Sequence, residues 1–275
     1  EGIALVRIEF FEKGGGEHLS LNMSGPGIKK LQLARNTAPQ GGGKKPAIAT
    51  GNPIEPENNE AVMYRNFIQG ASPRGIGVGY PEKVNICFDA NALNIVMTWH
   101  GAFMDGAKHW NGRGQGFQPP LGHYLVSLKR AQAIAQLPDA MAPWPELKTG
   151  NNDDDRAKGL RFRGYKLVEG RRPVFSYTAG NTVIEDYVIP QGGPLPSFTR
   201  QLTLTGSGKY YYLAGADGLI EKRGDSWKIG KNLKVTLDTP DKPILRDGAN
   251  GKELLVPVEV KGKAIIRAKY EWDLN

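Results

Sequence analysis

Apolar and polar residues alternate along this chain in short runs, and glycine, proline or asparagine closes almost every run. The stretches "MYRNFI", "VNICFDA" and "AIIRAKYEW" are typical. A period of two places every second side chain on one face of a strand, and it cannot make the continuous stripe that a helix buries. "RGIGVGY", "LNIVMTWHGAF", "GLRFRGYKLVEG", "RPVFSYTAG", "NTVIEDYVIP", "SFTRQLTLTG", "KYYYLAG", "GLIEKRG", "SWKIG", "NLKVTLD" and "ELLVPVEVKG" read as further strands. The 36 glycines and 19 prolines supply the turns between them. The best helical candidate, "LKRAQAIAQL" (128–137), is short, and its apolar positions also fit alternation. The expected fold is therefore all-β: a large β-sandwich, or two packed sandwich halves, preceded by a β-hairpin and a Gly/Pro-rich linker.

Composition shifts divide the chain into three parts. Residues 1–35 read as a hairpin, with "GIALVRIEFF" and "EHLSLNM" flanking the turn "EKGGG". Residues 36–60, "NTAPQGGGKKPAIATGNPIEPENNE", read as a linker. Residues 61–275 read as the β-domain, with a crossover near 138–158, "PDAMAPWPELKTGNNDDDRAK". No repeat of solenoid or propeller period is present. No apolar run approaches the roughly 20 residues that span a bilayer, so no membrane span is expected in this chain. The chain starts at Glu1 rather than Met, as a processed or truncated chain would.

The formal net charge is +8. The basic residues are scattered through strands and turns, as in "KELLVPVEVKGKAIIRAKY", and form no compact basic helix. Nucleic acid is therefore not an expected partner, whereas an acidic protein surface is compatible with the charge. The single cysteine, Cys87, alternates with apolar neighbours and reads as a buried thiol. One cysteine makes neither an internal disulfide nor a CxxCH haem attachment, and no cofactor is expected.

The densest chemistry lies in "TWHGAFMDGAKHWNGRGQG" (98–116). His100 and His109 are the candidate metal ligands, with Met104 and Asp105 as further donors, although nine residues between the histidines follow no standard ligand rhythm. The same stretch reads as a sheet corner in which Trp99 and Phe103 pack inward while His100 and His109 sit on the rim. Trp110 and Arg113 suit a partner contact, with Asp105 and His109 beside them. Tryptophan brings a large apolar area and arginine a two-toothed donor, the two types most enriched at protein–protein hot spots. Arg113 also reads as the ion-pair partner of Asp105 or Asp89. The acids 153–155 read as a solvated run. Glu185 and Asp186 are adjacent on a strand and point to opposite faces, so they cannot act as an acid–base pair. "RGIGVGY" lacks the later glycine and helix of a dinucleotide site. In "KYYY", Tyr211 faces away from Tyr210 and Tyr212. No catalytic residue is assigned.

Two stretches resemble known families. "VRIEFFEKGGGEHLSLNMSGPGIKKLQL" resembles the closing strands of the protective-antigen-type sugar-binding domain, a β-sandwich inserted in bacterial toxins and glycosidases. The acidic calcium loop that binds sugar in that family has no counterpart here, so the resemblance carries no sugar site. A longer stretch, "MYRNFIQGASPRGIGVGYPEKVNICFDANALNIVMTWHGAFMDGAKHWNGRGQGFQPPLG", then "APWP", then "LRFRGYKLVEGRRPVFSYTAGNTVIEDYVIP", resembles a β-rich domain of large exported bacterial proteins. Those proteins often carry c-type cytochrome or quinoprotein-dehydrogenase-like modules as well. His100 departs from that pattern, in which a small polar or basic residue precedes the glycine. The resemblance implies a periplasmic or otherwise extracytoplasmic setting and protein partners in a redox neighbourhood. The expectation is a non-enzymatic binding or scaffolding protein, an accessory subunit of a redox or membrane-associated electron-transfer complex. The alternatives are a carbohydrate-binding module and a sugar-active enzyme; for the enzyme, no pair of carboxylates stands at recognisable spacing.

Overall fold

The computed structural model describes residues 22–25, 28–32, 51–110, 116–147 and 155–273. The chain divides into two compact units, Glu1–Ala49 and Thr50–Asn275. In the first, strands β1 (Asn22–Gly25) and β2 (Ile28–Gln32) pair antiparallel with Gly25 opposite Ile28. The arm "GIALVRIEFF" and its "EKGGG" turn lie outside the described residues.

The regular structure of the second unit is almost entirely strand. Its first half holds β3 (Pro53–Ile54), β4 (Val62–Tyr64), β5 (Gly75–Gly79), β6 (Val84–Asp89), β7 (Asn94–His100), β8 (Met104–Asp105), a single helical turn α1 (Ala107–Trp110), β9 (His123–Ser127) and β10 (Ile134–Ala135). After the crossover come β11 (Leu160–Val168), β12 (Arg172–Ala179), β13 (Thr182–Gln191), β14 (Ser197–Asp217), β15 (Ile220–Arg223), β16 (Ser226–Ile229), β17 (Leu233–Asp238), β18 (Ile244–Gly248) and β19 (Gly251–Trp272). One sheet has five strands in the order β4-β5-β6-β7-β9. The other has the order β11-β12-β13-β14-β19-β17-β16-β15, with β10 added along β14 and β18 along β19. All pairings within the two sheets are antiparallel.

The two sheets pack face to face. Ile76, Val78, Ile86 and Phe88 of the smaller sheet share one core with Phe175, Leu202, Tyr212 and Tyr270 of the larger. Phe88 and Phe175 stack across it with centroids 4.0 Å apart. The fold is thus the all-β sandwich that the alternation predicts. Tyr210 and Tyr212 are buried in the core, and Tyr211, on the other face, is half-buried. Asp186 is buried while Glu185, on the opposite face, is partly exposed.

Three features differ from the sequence expectation. The paired runs "SFTRQLTLTG" and "KYYYLAG" are one 21-residue strand, and "ELLVPVEVKG" and "AIIRAKYEWD" are one 22-residue strand. The chain continues through "GSG" because Gly206 and Gly208 take φ of 143° and 142°, values L side chains rarely adopt, with Gly206 facing Gly262. "LKRAQAIAQL" forms no helix; it contributes the short strand β10. Within the stretch read as a linker, Pro53–Ile54 pairs with Met104–Asp105, so residues 51–60 pack as part of the second unit.

The central strands β5, β6 and β7 of the smaller sheet are buried on both faces. On its outer face the alternate glycines of "GIGVG" make a slot for Phe103. A β-carbon at Gly79 would lie 2.6 Å from Phe103 Cγ, and one at Gly77 would lie 3.2 Å from Cζ. Trp99 stacks on Phe103 at 5.9 Å with the planes 3° apart, and Cys87 is buried in the same cluster. The glycine motif is therefore a packing surface.

Buried ion pairs knit the sandwich. Arg200 donates to both carboxylate oxygens of Asp186, at 3.0 and 2.5 Å, and reaches across to Asn94 Oδ1 at 2.6 Å. Arg246 likewise donates to Glu253 and to the carbonyls of Ala140 and Ala142 in the crossover. Asp89, at the end of β6, accepts from the Ser72 amide and hydroxyl, the Asn91 and Ala92 amides and Arg130 Nε. That carboxylate fixes the β6–β7 turn against the loop before β5.

Candidate functional site

Asp105 organises the corner that follows β7. Its Oδ1 accepts from the Asn52 and Ala107 amides, both at 2.8 Å, so it ties residue 52 down and starts the helical turn α1. The turn then presents Lys108, His109 and Trp110 outward. Trp110 folds back on the glycine that precedes α1: a β-carbon at Gly106 would lie 2.7 Å from its ring. Even so, 55% of Trp110 is exposed.

His109 is the hub of this surface. Its Nδ1 pairs with the Tyr64 hydroxyl, and its Nε2 lies 2.6 Å from the Gly116 carbonyl. A carbonyl only accepts, so Nε2 carries the proton and Nδ1 accepts from the Tyr64 O–H. Burial, and then the charge of Asp105, push the Tyr64 hydroxyl up to about 12, which keeps it a donor. Phe67 meets His109 edge-on at 6.1 Å and Phe117 at 5.7 Å. The segments carrying these rings are locked together: Gln118 N donates to Phe67 O, Gln69 N donates to Gln118 O, and Lys108 Nζ reaches Phe117 O. The result is a rigid frame bearing two large rings in solvent, Phe67 at 45% exposure and Trp110. Arg113 lies outside the described residues, in the segment between Trp110 and Gly116.

His100 and His109 are not brought together. His100 is buried, not on a rim. Its ring sits 3.9 Å from that of Trp272, near the end of β19, and edge-on to Tyr124. Trp272 is itself anchored by its indole N–H on the Tyr124 carbonyl. Burial pushes the His100 imidazole below its ordinary value, against the pull of the Pro196 backbone. His109 has both nitrogens engaged within the protein, and His123 stands edge-on to His100 at 6.2 Å. Among the described residues no three His, Cys, Asp or Glu side chains converge as a metal site would require. Asp89 pairs with Arg130, and Asp105 accepts from backbone amides; the reading of Arg113 as their partner lies outside the described residues.

Phe67 and Phe117 were not among the sequence candidates. Their signals were a phenylalanine out of phase in "MYRNFIQG" and another beside the glycine loop in "GFQPP". Neither places them beside His109 without the fold.

Residues 86–186 match the model of a domain of unknown function, DUF6797. The matched span runs from β6 into β13 and includes Asp105, His109 and Trp110, but not Phe67. No curated protein and no solved structure matches the chain.

Proposed function

We propose that this chain is a non-enzymatic binding module of an extracytoplasmic protein assembly, and that the aromatic surface around α1 is its contact with a protein subunit. The observation that carries the reading is the pair Phe67 and Trp110, each about half exposed on a frame held by hydrogen bonds. Large rings on a fixed frame give contact area with little entropy left to lose, the property of protein–protein hot spots. The resemblance of residues 61–275 to domains of exported redox proteins supports the extracytoplasmic setting and an accessory role beside an electron-transfer complex. Among the described residues no helix is long and apolar enough to cross a membrane.

The carbohydrate-binding alternative fits this surface less well. Sugar rings stack on coplanar platforms, whereas Phe67 stands 68° and 66° from the His109 and Phe117 planes. The test is a paired retention experiment with immobilised wild type and a Phe67→Ala/Trp110→Ala variant of equal melting temperature. One arm uses extracytoplasmic extract of the source cell, the other insoluble polysaccharides. Discrete proteins held by the wild type and lost by the variant support the reading. Equal retention by both, or retention of polysaccharide lost in the variant, overturns it.

A further inference from the structure

A second surface, sharing no residue with the aromatic one, is a cleft of about 430 Å³ at the end of β6 and the start of β11. Arg65, Arg74, Arg156 and Arg161 line it, and among the described residues no Asp or Glu does. Two stretches far apart in sequence, 65–74 and 156–161, thus bring four arginines to one opening. Like charges converge this way at a cost that an anion between them offsets. Among the described residues, neither Arg74 nor Arg161 is paired with a carboxylate, and Arg65 lies over the Tyr165 ring at 5.7 Å. The floor is apolar, formed by Ile76, Leu93 and Phe162.

Asn91 supplies an independent indication. It lines the cleft, is 1% exposed, and its side-chain nitrogen has no hydrogen-bond partner among the described residues. A buried amide N–H without a partner costs about 1–3 kcal/mol, which a ligand oxygen would relieve. Asn91 is also held rigidly, its amide on Asp89 and its carbonyl accepting from Ala157 N. The backbone that carries this donor is thus fixed at the cleft.

We infer that this cleft binds a small organic phosphate or sulfate ester, its oxyanion held by Asn91 and the arginines and its organic part resting on Ile76, Leu93 and Phe162. Guanidinium forks match tetrahedral oxyanions with two parallel bonds. A dianion gains more from several arginines than a carboxylate does. The volume suits a compact ligand.

Calorimetric titration of the full chain tests this with three probes: phenyl phosphate, inorganic phosphate and neutral benzyl alcohol. Saturable one-to-one binding of phenyl phosphate is expected, several-fold tighter than inorganic phosphate, weakening as salt is raised, with none of benzyl alcohol. The Arg74→Ala/Arg161→Ala variant, which removes two exposed side chains, should keep its melting temperature and bind about tenfold more weakly or worse. Asn91→Asp, which sets a carboxylate under the arginines, should abolish binding. Inorganic phosphate binding as tightly as the ester overturns the organic part of the assignment and leaves a free-oxyanion site. Unchanged affinity in the folded arginine variant, or no binding by the wild type, overturns the site.

Discussion

Replacing Asp186 with alanine leaves the Arg200 guanidinium inside the sandwich with its main partner gone. The two side chains are 3% and 0% exposed, joined by two bonds, so water cannot take over the lost carboxylate. What remains for Arg200 is Asn94 Oδ1 at 2.6 Å and the face of Tyr212 at 5.7 Å. Removing one member of a buried pair costs about 3–5 kcal/mol, because the other charge stays desolvated and uncompensated. In a domain of this size each kcal/mol lowers the melting temperature by about 2–4 °C, which gives a fall of roughly 6–20 °C. Arg200→Met should also destabilise, by orphaning Asp186 and its Tyr177 contact. The Asp186→Ala/Arg200→Met double variant should be more stable than the sum of the single losses by about 0.5–3 kcal/mol, since neither charge is then stranded. Urea unfolding of the four proteins measures the cycle. If Asp186→Ala lies within about 1 kcal/mol of wild type at an unchanged slope, the pair is not buried as described and the reasoning fails.

Two further outcomes follow from the packing. Gly79→Ala would force a methyl to 2.6 Å from Phe103 Cγ and should cost about 1–3 kcal/mol, part of it recovered by adding Phe103→Leu; a wild-type urea midpoint for Gly79→Ala would show that the ring does not fill that slot. His100 is held neutral by burial, so the unfolded chain takes up its proton first as the pH falls. Stability should therefore be flat with respect to this group above the ordinary imidazole value of 6.5 and decline as the pH drops from there towards the lowered folded value, and His100→Gln should flatten that arm of a melting-temperature profile.

Alternation made the class legible because it reports which face of a strand is buried, a local property. It placed Asp186 and Glu185 on opposite faces, and Tyr210 and Tyr212 away from Tyr211. It could not show how far a strand runs. "LTGSGKY" carries the residues of a turn, and only the pairing of Gly206 with Gly262, from the far end of the chain, lets β14 pass through it. Nor could it bury His100, whose cover is Trp272, or reveal that His109 is clasped by Tyr64 and Gly116. The arginine cleft was invisible for the same reason: its members are scattered basic residues in sequence and neighbours only after the two sheets pack. Trp110 was legible as a candidate from its place in a glycine-rich stretch, whereas Phe67 required the pairing of its loop with Gln118.

The contact at α1 is tested most directly by a photo-reactive phenylalanine analogue at position 67, installed in the full chain at native expression in its source cell. A control carries the same residue at Met141, which is 73% exposed. Irradiation should yield one discrete protein adduct from position 67 that is absent from position 141 and is lost when Trp110→Ala is added. No adduct from position 67, or the same adducts from both positions, would contradict the assignment of this surface as a partner contact.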